Sequence, residues 1–329
     1  MNTFTFIVLS YNHSAYILEH LESIKYQVEN FGSDYSVDLI ISDDCSSDGT
    51  KDVIKKWLSK NRILFRNVTT FFNEKNIGTC KSLKNAINVC DSDFCKITGG
   101  DDVYSRIDIF DFILENRDSI ICTGIPIRLS GEKIHSSFFE TFNYFGSRII
   151  YRYTSFKKRL LGLSIINAPN VVYSMEALKN EKVLNCLDLY DVVEDFPLQI
   201  AISEIYPDKE FVQTDKNLVY YRRTEGSTFL VANKRFKDDQ VKILNYLITD
   251  CLKMRKFFTK VILINRLFVF NNQNFLSRNF LNLSKLIYLF SLLIWSWRIL
   301  IDYFLLRPNL IKDVEHYKFI QEAAKKINE

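Results

Sequence analysis

Over the first hundred residues, short runs of apolar and β-branched side chains alternate with longer runs whose apolar positions recur at helical spacing. The first kind of run is typical of buried strands and the second of amphipathic helices. The predicted strands are 3–9, 36–42, 65–73 and 93–98, and the predicted helices lie near 14–29, 49–60 and 79–90. This alternation predicts an α/β fold with a mostly parallel, doubly wound central sheet and flanking helices.

The rest of the chain has a different pattern. Its middle part is mixed, with predicted strands at 119–129 and 217–222, and beyond residue 233 the pattern is helical almost to the end. No low-complexity tract or Gly/Ser-rich linker separates these parts. The predicted division is an α/β domain over 1–230, with halves 1–100 and 101–230, and a helical C-terminal region over 231–329.

Polar clusters follow three of the predicted strands. They are Ser10-Tyr11-Asn12 after the first strand, Asp43-Asp44 after the second and Gly99-Gly100-Asp101-Asp102 after the fourth. Each cluster alone also fits an ordinary turn or a helix cap. Because ligands of such sheets bind beyond the carboxyl ends of the strands, the shared placement predicts one ligand site.

The adjacent carboxylates Asp101 and Asp102 suit a cation. Two like charges about 4 Å apart repel by about 4 kcal/mol at an effective dielectric of about 20, so such a pair favours a bound cation or a shifted pKa. Carboxylate oxygens suit Mn2+ or Mg2+, which bind substrate phosphates together with one or two protein carboxylates. We take Asp101, supported by Asp102, as the metal site, with a plain turn as the alternative.

Six short motifs follow one another along the chain. They are Ile7-Val8-Leu9-Ser10-Tyr11-Asn12, Ile41 to Thr50, Asn76-Ile77-Gly78 with Asn85, Gly99-Gly100-Asp101-Asp102, Val193-Glu194-Asp195, and Tyr221 to Thr228. In this order they resemble the family 2 glycosyltransferases of the GT-A fold. These enzymes move a sugar from a nucleotide diphosphate donor to an acceptor, with inversion at the anomeric carbon. The resemblance covers roughly residues 3 to 228.

The resemblance implies a nucleotide site at the first motifs. Tyr11 offers an aromatic face to a uracil-like base, and Asp44 can accept the imino proton of that base. Lys81, near a helix N-terminus, can reach a phosphate. Alternatively, Tyr11 is a buried rim aromatic, Asp43 a turn carboxylate and Lys81 a solvated surface residue. The residues implied to bind the donor are Ser10, Tyr11, Asp43, Asp44, Asn76, Gly78, Lys81, Gly100 and Arg222.

The resemblance also implies a general base. In the family this base is the aspartate of a Glu-Asp pair, which falls on Asp195 with Glu194 as its neighbour, and it takes the proton of the incoming sugar hydroxyl. The alternative is that the two acids only favour the N-terminus of the next helix, which Pro197 also fits. Arg222 or Arg223 is implied to contact phosphate as a charged fork.

The chain departs from the family pattern at two positions. Gly99 stands where the family has the first aspartate of its aspartate-any-aspartate motif, so a ribose contact there is in question. Thr224 stands where members often carry a histidine, which removes one metal ligand. Because they occupy no metal-ligand spacing, we interpret all four histidines as structural or surface residues; these are His13, His20, His135 and His316.

Composition narrows the class of protein. A content of 47% hydrophobic residues is ample for a substantial core. The seven cysteines form no Cys-x-x-Cys pair, which argues against a disulfide framework or a zinc site and favours a reducing cytosol. The N-terminal run resembles a first strand and has no basic region of the kind that begins a signal peptide.

The C-terminal region combines positive charge with apolar side chains. Residues 251–312 contain ten Lys or Arg and one acid, a net charge of +9, and the uncharged run 286–297 is shorter than the roughly 20 residues of a spanning helix. This predicts a peripheral contact with an anionic membrane surface. The alternative is a helical subdomain that packs on the catalytic core or on a second subunit. The apolar content argues against nucleic-acid binding.

Together these features predict an inverting, metal-dependent glycosyltransferase. The expected donor is a UDP-sugar and the expected acceptor a cell-surface glycan, such as capsule or O-antigen, on a lipid carrier. The expected location is cytoplasmic, on the inner face of the cell membrane. The alternative is a catalytically weak nucleotide-sugar or glycan-binding scaffold in a polysaccharide synthase complex. A nucleotidyltransferase is less favoured because the Ser10-Tyr11-Asn12-His13 turn is not a Gly-rich basic loop.

Overall fold

The computed structural model describes residues 2–162, 168–223 and 234–328. The strands within these ranges are β1 (Asn2–Ser10), β2 (Tyr35–Asp43), β3 (Asn67–Phe72), β4 (Phe94–Gly99), β5 (Val103–Tyr104), β6 (Ile121–Thr123), β7 (Ile127–Ser130), β8 (Lys133–His135), β9 (Val171–Ser174), β10 (Phe211–Gln213) and β11 (Val219–Arg222). The helices are α1 (Ile17–Phe31), α2 (Thr50–Asn61), α3 (Thr79–Val89), α4 (Ile109–Glu115), α5 (Phe138–Ile150), α6 (Phe156–Leu161), α7 (Met175–Leu178), α8 (Glu181–Asn185), α9 (Asp195–Ile205), α10 (Lys234–Lys253), α11 (Phe257–Asn271), α12 (Phe275–Asn279), α13 (Leu283–Leu306) and α14 (Leu310–Asn328).

The central sheet has seven strands in the order β10-β6-β9-β4-β1-β2-β3. β1 pairs in parallel with both β2 and β4, while β9 is antiparallel to its neighbours β4 and β6. The register places Ser10 opposite Asp43 and Leu9 opposite Gly99, so the carboxyl ends of the three strands lie at one level. The prediction of an α/β fold with a mostly parallel central sheet is confirmed.

β1 is an interior strand of this sheet and is covered on both faces, which explains its nearly continuous apolar sequence. Phe6 and Val8 pack into the same core as Leu21 of α1, whereas Ile7 packs on the opposite face with Leu83 of α3. All five side chains are fully buried. The two cores fix the helices on either side of the sheet, and with them the loops at its carboxyl edge.

The predicted single strand at 119–129 is wrong. The segment contains two strands, β6 in the central sheet and β7 in a second sheet of order β5-β11-β7-β8. Between them the backbone passes close to another segment, since a β-carbon at Gly124 would lie 2.4 Å from the carbonyl oxygen of Lys216. The amide of Ile125 donates to the same oxygen at 2.8 Å. This contact turns the chain from one sheet into the other.

The C-terminal helices pack on the α/β domain. In α14, the Tyr317 hydroxyl donates to the Glu19 carboxylate at 3.0 Å, and Asp313 accepts a hydrogen bond from the Tyr220 hydroxyl at 2.8 Å. His316 contacts the carbonyl oxygen of Tyr104 at 3.2 Å. α14, which lies almost entirely beyond the basic segment 251–312, is therefore docked on the α/β domain.

Helix α13 is docked by one face only. Leu292 lies against Gly146 of α5, where a β-carbon would come within 2.4 Å of its side chain, and the Tyr288 hydroxyl donates to the Asn143 carbonyl at 3.0 Å. The opposite face exposes large apolar side chains, among them Leu293 at 72%. By length and composition alone, the segment Phe275–Leu306 could cross a membrane, with a mean hydropathy of 1.6.

Candidate active site

A cavity of about 740 Å³ opens at the carboxyl ends of β1, β2 and β4. It brings together residues from the strand-end clusters, the loop before α3 and the loop before α9. The expected site residues that line it are Ser10, Tyr11, Asp44, Asn76, Gly78, Asp101, Asp102, Glu194 and Asp195. The expected residues that lie outside its lining are Asp43, Lys81, Gly100 and Arg222.

Tyr11 and Asp44 form the strand-end part of this lining. Tyr11 is 49% exposed, so it is not a buried rim aromatic. The Asp44 carboxylate accepts hydrogen bonds from the amides of Ile77 at 2.8 Å and Gly78 at 2.9 Å, and from the Asn73 side chain at 3.0 Å. A carboxylate has about four acceptor positions, so Asp44 fixes the loop before α3 and keeps capacity for one further donor.

Asp43 has a structural role. Its two oxygens accept hydrogen bonds from the amide and the hydroxyl of Ser46, at 2.9 and 2.5 Å, and its residue is 2% exposed. The Ser46 oxygen in turn accepts the amide hydrogen of Asn12 at 2.8 Å. The alternative of a turn carboxylate is therefore the correct one, and Asp43 organises the loop that presents Tyr11.

Residues 73–78, which join β3 to α3, are called the donor-side loop here. At Gly78 this loop meets the loop before α9. The φ of Gly78, +91°, is a conformation that side chains disfavour. A β-carbon here would also lie 2.2 Å from the Asp191 carboxylate. The amide of Cys80 donates to the Asp191 carbonyl at 3.1 Å. The glycine thus permits a direct contact between the two loops.

The Asp101 carboxylate lies over Gly99. A β-carbon on Gly99 would be 2.6 Å from Asp101 Oδ1, so the absent side chain leaves the space that Asp101 fills. The same oxygen is 3.9 Å from His13 Nε2. A carboxylate and an imidazole nitrogen therefore face each other at the cavity wall.

Asp102 lies deeper than Asp101. It is 2% exposed, and its Oδ1 accepts the amide hydrogen of Arg222 at 2.9 Å. Burial and the nearby charge of Asp101 raise the pKa of Asp102 well above its usual range. Within the part of the chain that the structure describes, no group of three or more His, Cys, Asp or Glu side chains is arranged to hold a metal ion. The carboxylates of Asp101 and Asp102 nevertheless fit a Mn2+ or Mg2+ ion that also binds substrate phosphates, since such ions need only one or two protein carboxylates.

The phosphate contact expected of Arg222 is wrong. Its guanidinium is buried, donates to the Asp101 carbonyl from Nε at 2.7 Å and bonds the Glu19 carboxylate from Nη2. It also lies over the Tyr16 ring, 4.8 Å from its centroid. These contacts turn the charge away from the cavity, whereas Arg223 lines it.

Two more residues that were expected to bind the sugar donor, Lys81 and Gly100, do not line the cavity. Lys81 is solvent-exposed, as its alternative stated. Gly100 is a packing position, because a β-carbon there would come within 2.6 Å of Ile17 and 3.1 Å of the His13 ring. Thr224 lies outside the described residues.

His13 differs from the other three histidines in its position. It lines the cavity, and its buried Nδ1 has no hydrogen-bond partner among the described residues. His20 is structural: it contacts the Asp102 carbonyl at 2.9 Å, and burial lowers its pKa to about 3. Burial likewise lowers the pKa of His316 to about 4, and His135 is exposed.

Glu194 and Asp195 form a carboxyl pair at the start of α9. Asp195 Oδ1 accepts the amide hydrogen of Phe196 at 2.7 Å, a contact at the N-terminus of α9 that agrees with the helix-terminus alternative. Burial and the charge of Asp195 raise the pKa of Glu194 to about 8. Burial also raises the pKa of Asp195, against the hydrogen bond from Phe196. Such a coupled pair loses its two protons in separate steps.

The profile described as glycosyl transferase family 2 matches residues 5–180. The chain belongs to this family. As a family 2 glycosyltransferase it is an enzyme of the GT-A fold class, and the predictions of family and enzyme class are confirmed.

Two solved structures share the fold of this family 2 glycosyltransferase. The S. aureus TarS 1–349 complex with UDP-GlcNAc has a TM-score of 0.57 and 20% identity, covering 99% of this chain and 92% of that chain. The complex of TarS 1–349 with UDP has a TM-score of 0.53 and 18% identity over the same shares. The curated abequosyltransferase RfbV of Salmonella typhimurium is 31% identical over 104 residues, which is 31% of this chain and 29% of that relative.

Arg235 lines the cavity and has no counterpart among the motifs. Its Nη2 donates to Asp191 Oδ1 at 2.6 Å and its Nη1 to Asn76 Oδ1 at 2.9 Å. It lies at the start of α10, more than 30 residues after Glu194. Only the tertiary packing of α10 places it here, so no local spacing in the sequence could indicate it.

The Glu194 carboxyl makes the stability of this glycosyltransferase pH-dependent. Its pKa of about 8 replaces an ordinary value of 4.5, so between these pH values the folded chain keeps a proton that the unfolded chain releases. The resulting stabilisation is present at low pH and is lost as pH rises toward about 8. We therefore expect the unfolding free energy of the wild type to fall with pH more steeply than that of Glu194→Gln, by up to about 1.4 kcal/mol per pH unit.

Urea unfolding at several pH values between about 5 and 8.5 measures this difference. The exposed Glu176→Gln is the matched control and should keep the wild-type slope. Parallel curves for Glu194→Gln and the wild type would show that the Glu194 pKa is not raised.

Proposed function

We propose that this glycosyltransferase transfers a sugar with inversion from a UDP-sugar, assisted by Mn2+ or Mg2+. The observation that carries the proposal is the single cavity that joins Tyr11 and Asp44 to Asp101 and to the Glu194–Asp195 pair. A base-binding rim, a carboxylate for a shared cation and a buried proton acceptor are the parts that such a reaction needs.

The nucleotide would lie along the strand-end rim. The exposed ring of Tyr11 stacks on uracil, and the remaining acceptor position of Asp44 takes the imino proton of the base. Arg223 supplies the positive charge for the diphosphate in place of Arg222. The TarS structures, which contain UDP-GlcNAc or UDP, support UDP as the nucleotide.

Asp101 and His13 would hold the cation together with the donor phosphates. Their facing atoms, 3.9 Å apart, fit two ligands of one ion. When bound, Mn2+ or Mg2+ would offset the negative charge that develops on the leaving diphosphate. Asp102 supports this arrangement from below, by fixing the backbone of Arg222 and hence the carbonyl of Asp101.

Asp195 is the proposed general base. Its second oxygen receives the proton of the acceptor hydroxyl, while Oδ1 stays bonded to the amide of Phe196. Glu194 keeps its own proton up to about pH 8. Burial raises the pKa of Asp195, which makes its carboxylate a stronger proton acceptor.

A turnover assay tests these roles. Purified protein is incubated with Mn2+ and a panel of UDP-sugars, and release of UDP is followed. Asp195→Asn should lower kcat by about 10²- to 10⁴-fold, the usual contribution of a general base. Asp101→Asn should raise the Mn2+ concentration needed for half-maximal turnover by at least about tenfold.

The exposed Asp208→Asn is the matched control and should behave as wild type. Equal turnover in wild type, Asp195→Asn and Asp101→Asn would contradict both roles. Tight, metal-dependent UDP binding by a wild type that turns over no donor would instead favour the scaffold alternative.

We also propose that the acceptor is a lipid-linked cell-surface glycan and that the enzyme binds the cytoplasmic leaflet. The exposed face of α13 carries Phe290, Leu293 and Trp297 within the basic segment 251–312. Because its other face is docked on α5, α13 fits a helix that lies in the membrane plane better than one that crosses it. The glycan assignment draws support from the likeness to an abequosyltransferase.

Vesicle binding tests the membrane contact. Because burial of each large apolar side chain contributes about 1.5–3 kcal/mol, Phe290→Gln combined with Leu293→Gln should weaken binding to phosphatidylglycerol vesicles by at least about tenfold. Ile63→Gln, at a residue 92% exposed on the α/β domain, is the control. Release of the protein by alkaline carbonate distinguishes surface binding from a spanning helix. Unchanged binding by the double variant would contradict the assignment.

A further inference from the structure

The segment that precedes the Glu194–Asp195 pair is held by a buried acid from α10. Asp239 Oδ2 accepts the amide hydrogens of three consecutive residues, Asp191 and Val192 at 2.8 Å each and Val193 at 3.2 Å. Asp239 is fully buried. One carboxylate oxygen therefore fixes the orientation of three peptide units directly before the pair.

This arrangement is not one that stability alone favours. The other oxygen, Oδ1, is buried without a hydrogen bond among the described residues, and its nearest cation is Lys242 Nζ at 3.5 Å. An incompletely bonded buried carboxylate destabilises a fold, because desolvation of the charge is not fully offset. The three charge-assisted bonds recover part of that cost and give the loop one defined conformation.

Arg235, one helical turn before Asp239, binds the same loop through the side chain of Asp191. It forms a two-point ion pair with Asp191, and it donates to Asn76 at 2.9 Å. Asp191 is thus bound by α10 at its amide and at its carboxylate. The hydrogen bond to Asn76 also connects Arg235 to the donor-side loop, which contacts Asp191 at Gly78.

We propose that Asp239 is a positioning residue for Asp195 and that Arg235 sets the spacing between the loop of Asp195 and the donor-side loop. The inference rests on the proposed role of Asp195 as the base. Inversion requires the base on the face opposite the leaving diphosphate, so both loops must keep their separation. A displacement of about 1 Å in such a site can lower turnover about 10²-fold.

The test compares Asp239→Asn and Asp239→Ala with the neighbouring Asp238→Asn, whose side chain is exposed. The reaction is hydrolysis, with Mn2+, of the UDP-sugar that the wild type turns over fastest. We expect kcat to fall about 10- to 100-fold in Asp239→Asn and further in Asp239→Ala, because asparagine keeps one acceptor oxygen. The KM for the donor should stay within about threefold, and Asp238→Asn should match wild type.

The pH dependence of unfolding is a second readout. A loss of packing alone would not change it. We expect Glu194 to give an inflection near pH 8, and in Asp239→Asn this inflection should move, because the loop that precedes the pair loses its anchor. Arg235→Gln, at a partly exposed side chain, provides a variant with little risk to folding. It should lower kcat about three- to tenfold.

The outcomes separate the two levels of inference. An active wild type whose kcat and pH inflection are unchanged in folded Asp239→Asn, or whose kcat is unchanged in Arg235→Gln, overturns the positioning role. A wild type without turnover overturns the proposed function, and the pH inflection then still decides whether Asp239 sets the surroundings of the pair.

Discussion

The site depends on buried carboxylates that accept hydrogen bonds from consecutive backbone amides. Asp44 binds the amides of Ile77 and Gly78, and Asp239 binds those of residues 191–193. In each case a charge on a rigid element replaces the sheet or helix bonds that a loop lacks. The loops meet at Gly78 and Asp191, so both walls of the cavity derive from one kind of contact.

The acidic residues around the cavity form two groups, one that fixes loops and one that faces the cavity. Asp43, Asp44 and Asp239 each accept two or three hydrogen bonds from the protein, and each fixes a loop. Asp101 and Asp195 keep oxygens toward the cavity. A carboxylate bonded to several protein donors has less capacity left for a ligand, and Asp44 keeps one acceptor position, whereas a less bonded carboxylate in the cavity is available for a cation or a proton.

Much of this could be predicted from the sequence where neighbours along the chain decide the structure. The central strands and the helices between them follow from apolar periodicity, and Asp101 and Asp195 follow from local motifs at element ends. The errors arise where distant segments decide. The backbone of Lys216 splits the predicted strand at 119–129, and Glu19 together with α14 turns Arg222 inward. Asp239 carries no local signal, because its partners are amides about 47 residues away.

Gly99 stands where the family has an aspartate, and a neighbouring carboxylate occupies the space of the missing side chain. With no side chain at residue 99, the Asp101 carboxylate lies over that residue, within reach of His13. A carboxylate at 99 would force Asp101 to turn away and would add a third acid beside Asp102, whose pKa burial already raises. The glycine therefore avoids further like-charge repulsion beside Asp101 and Asp102. In the proposed cation site, the donor phosphates would supply the negative charge that residue 99 lacks.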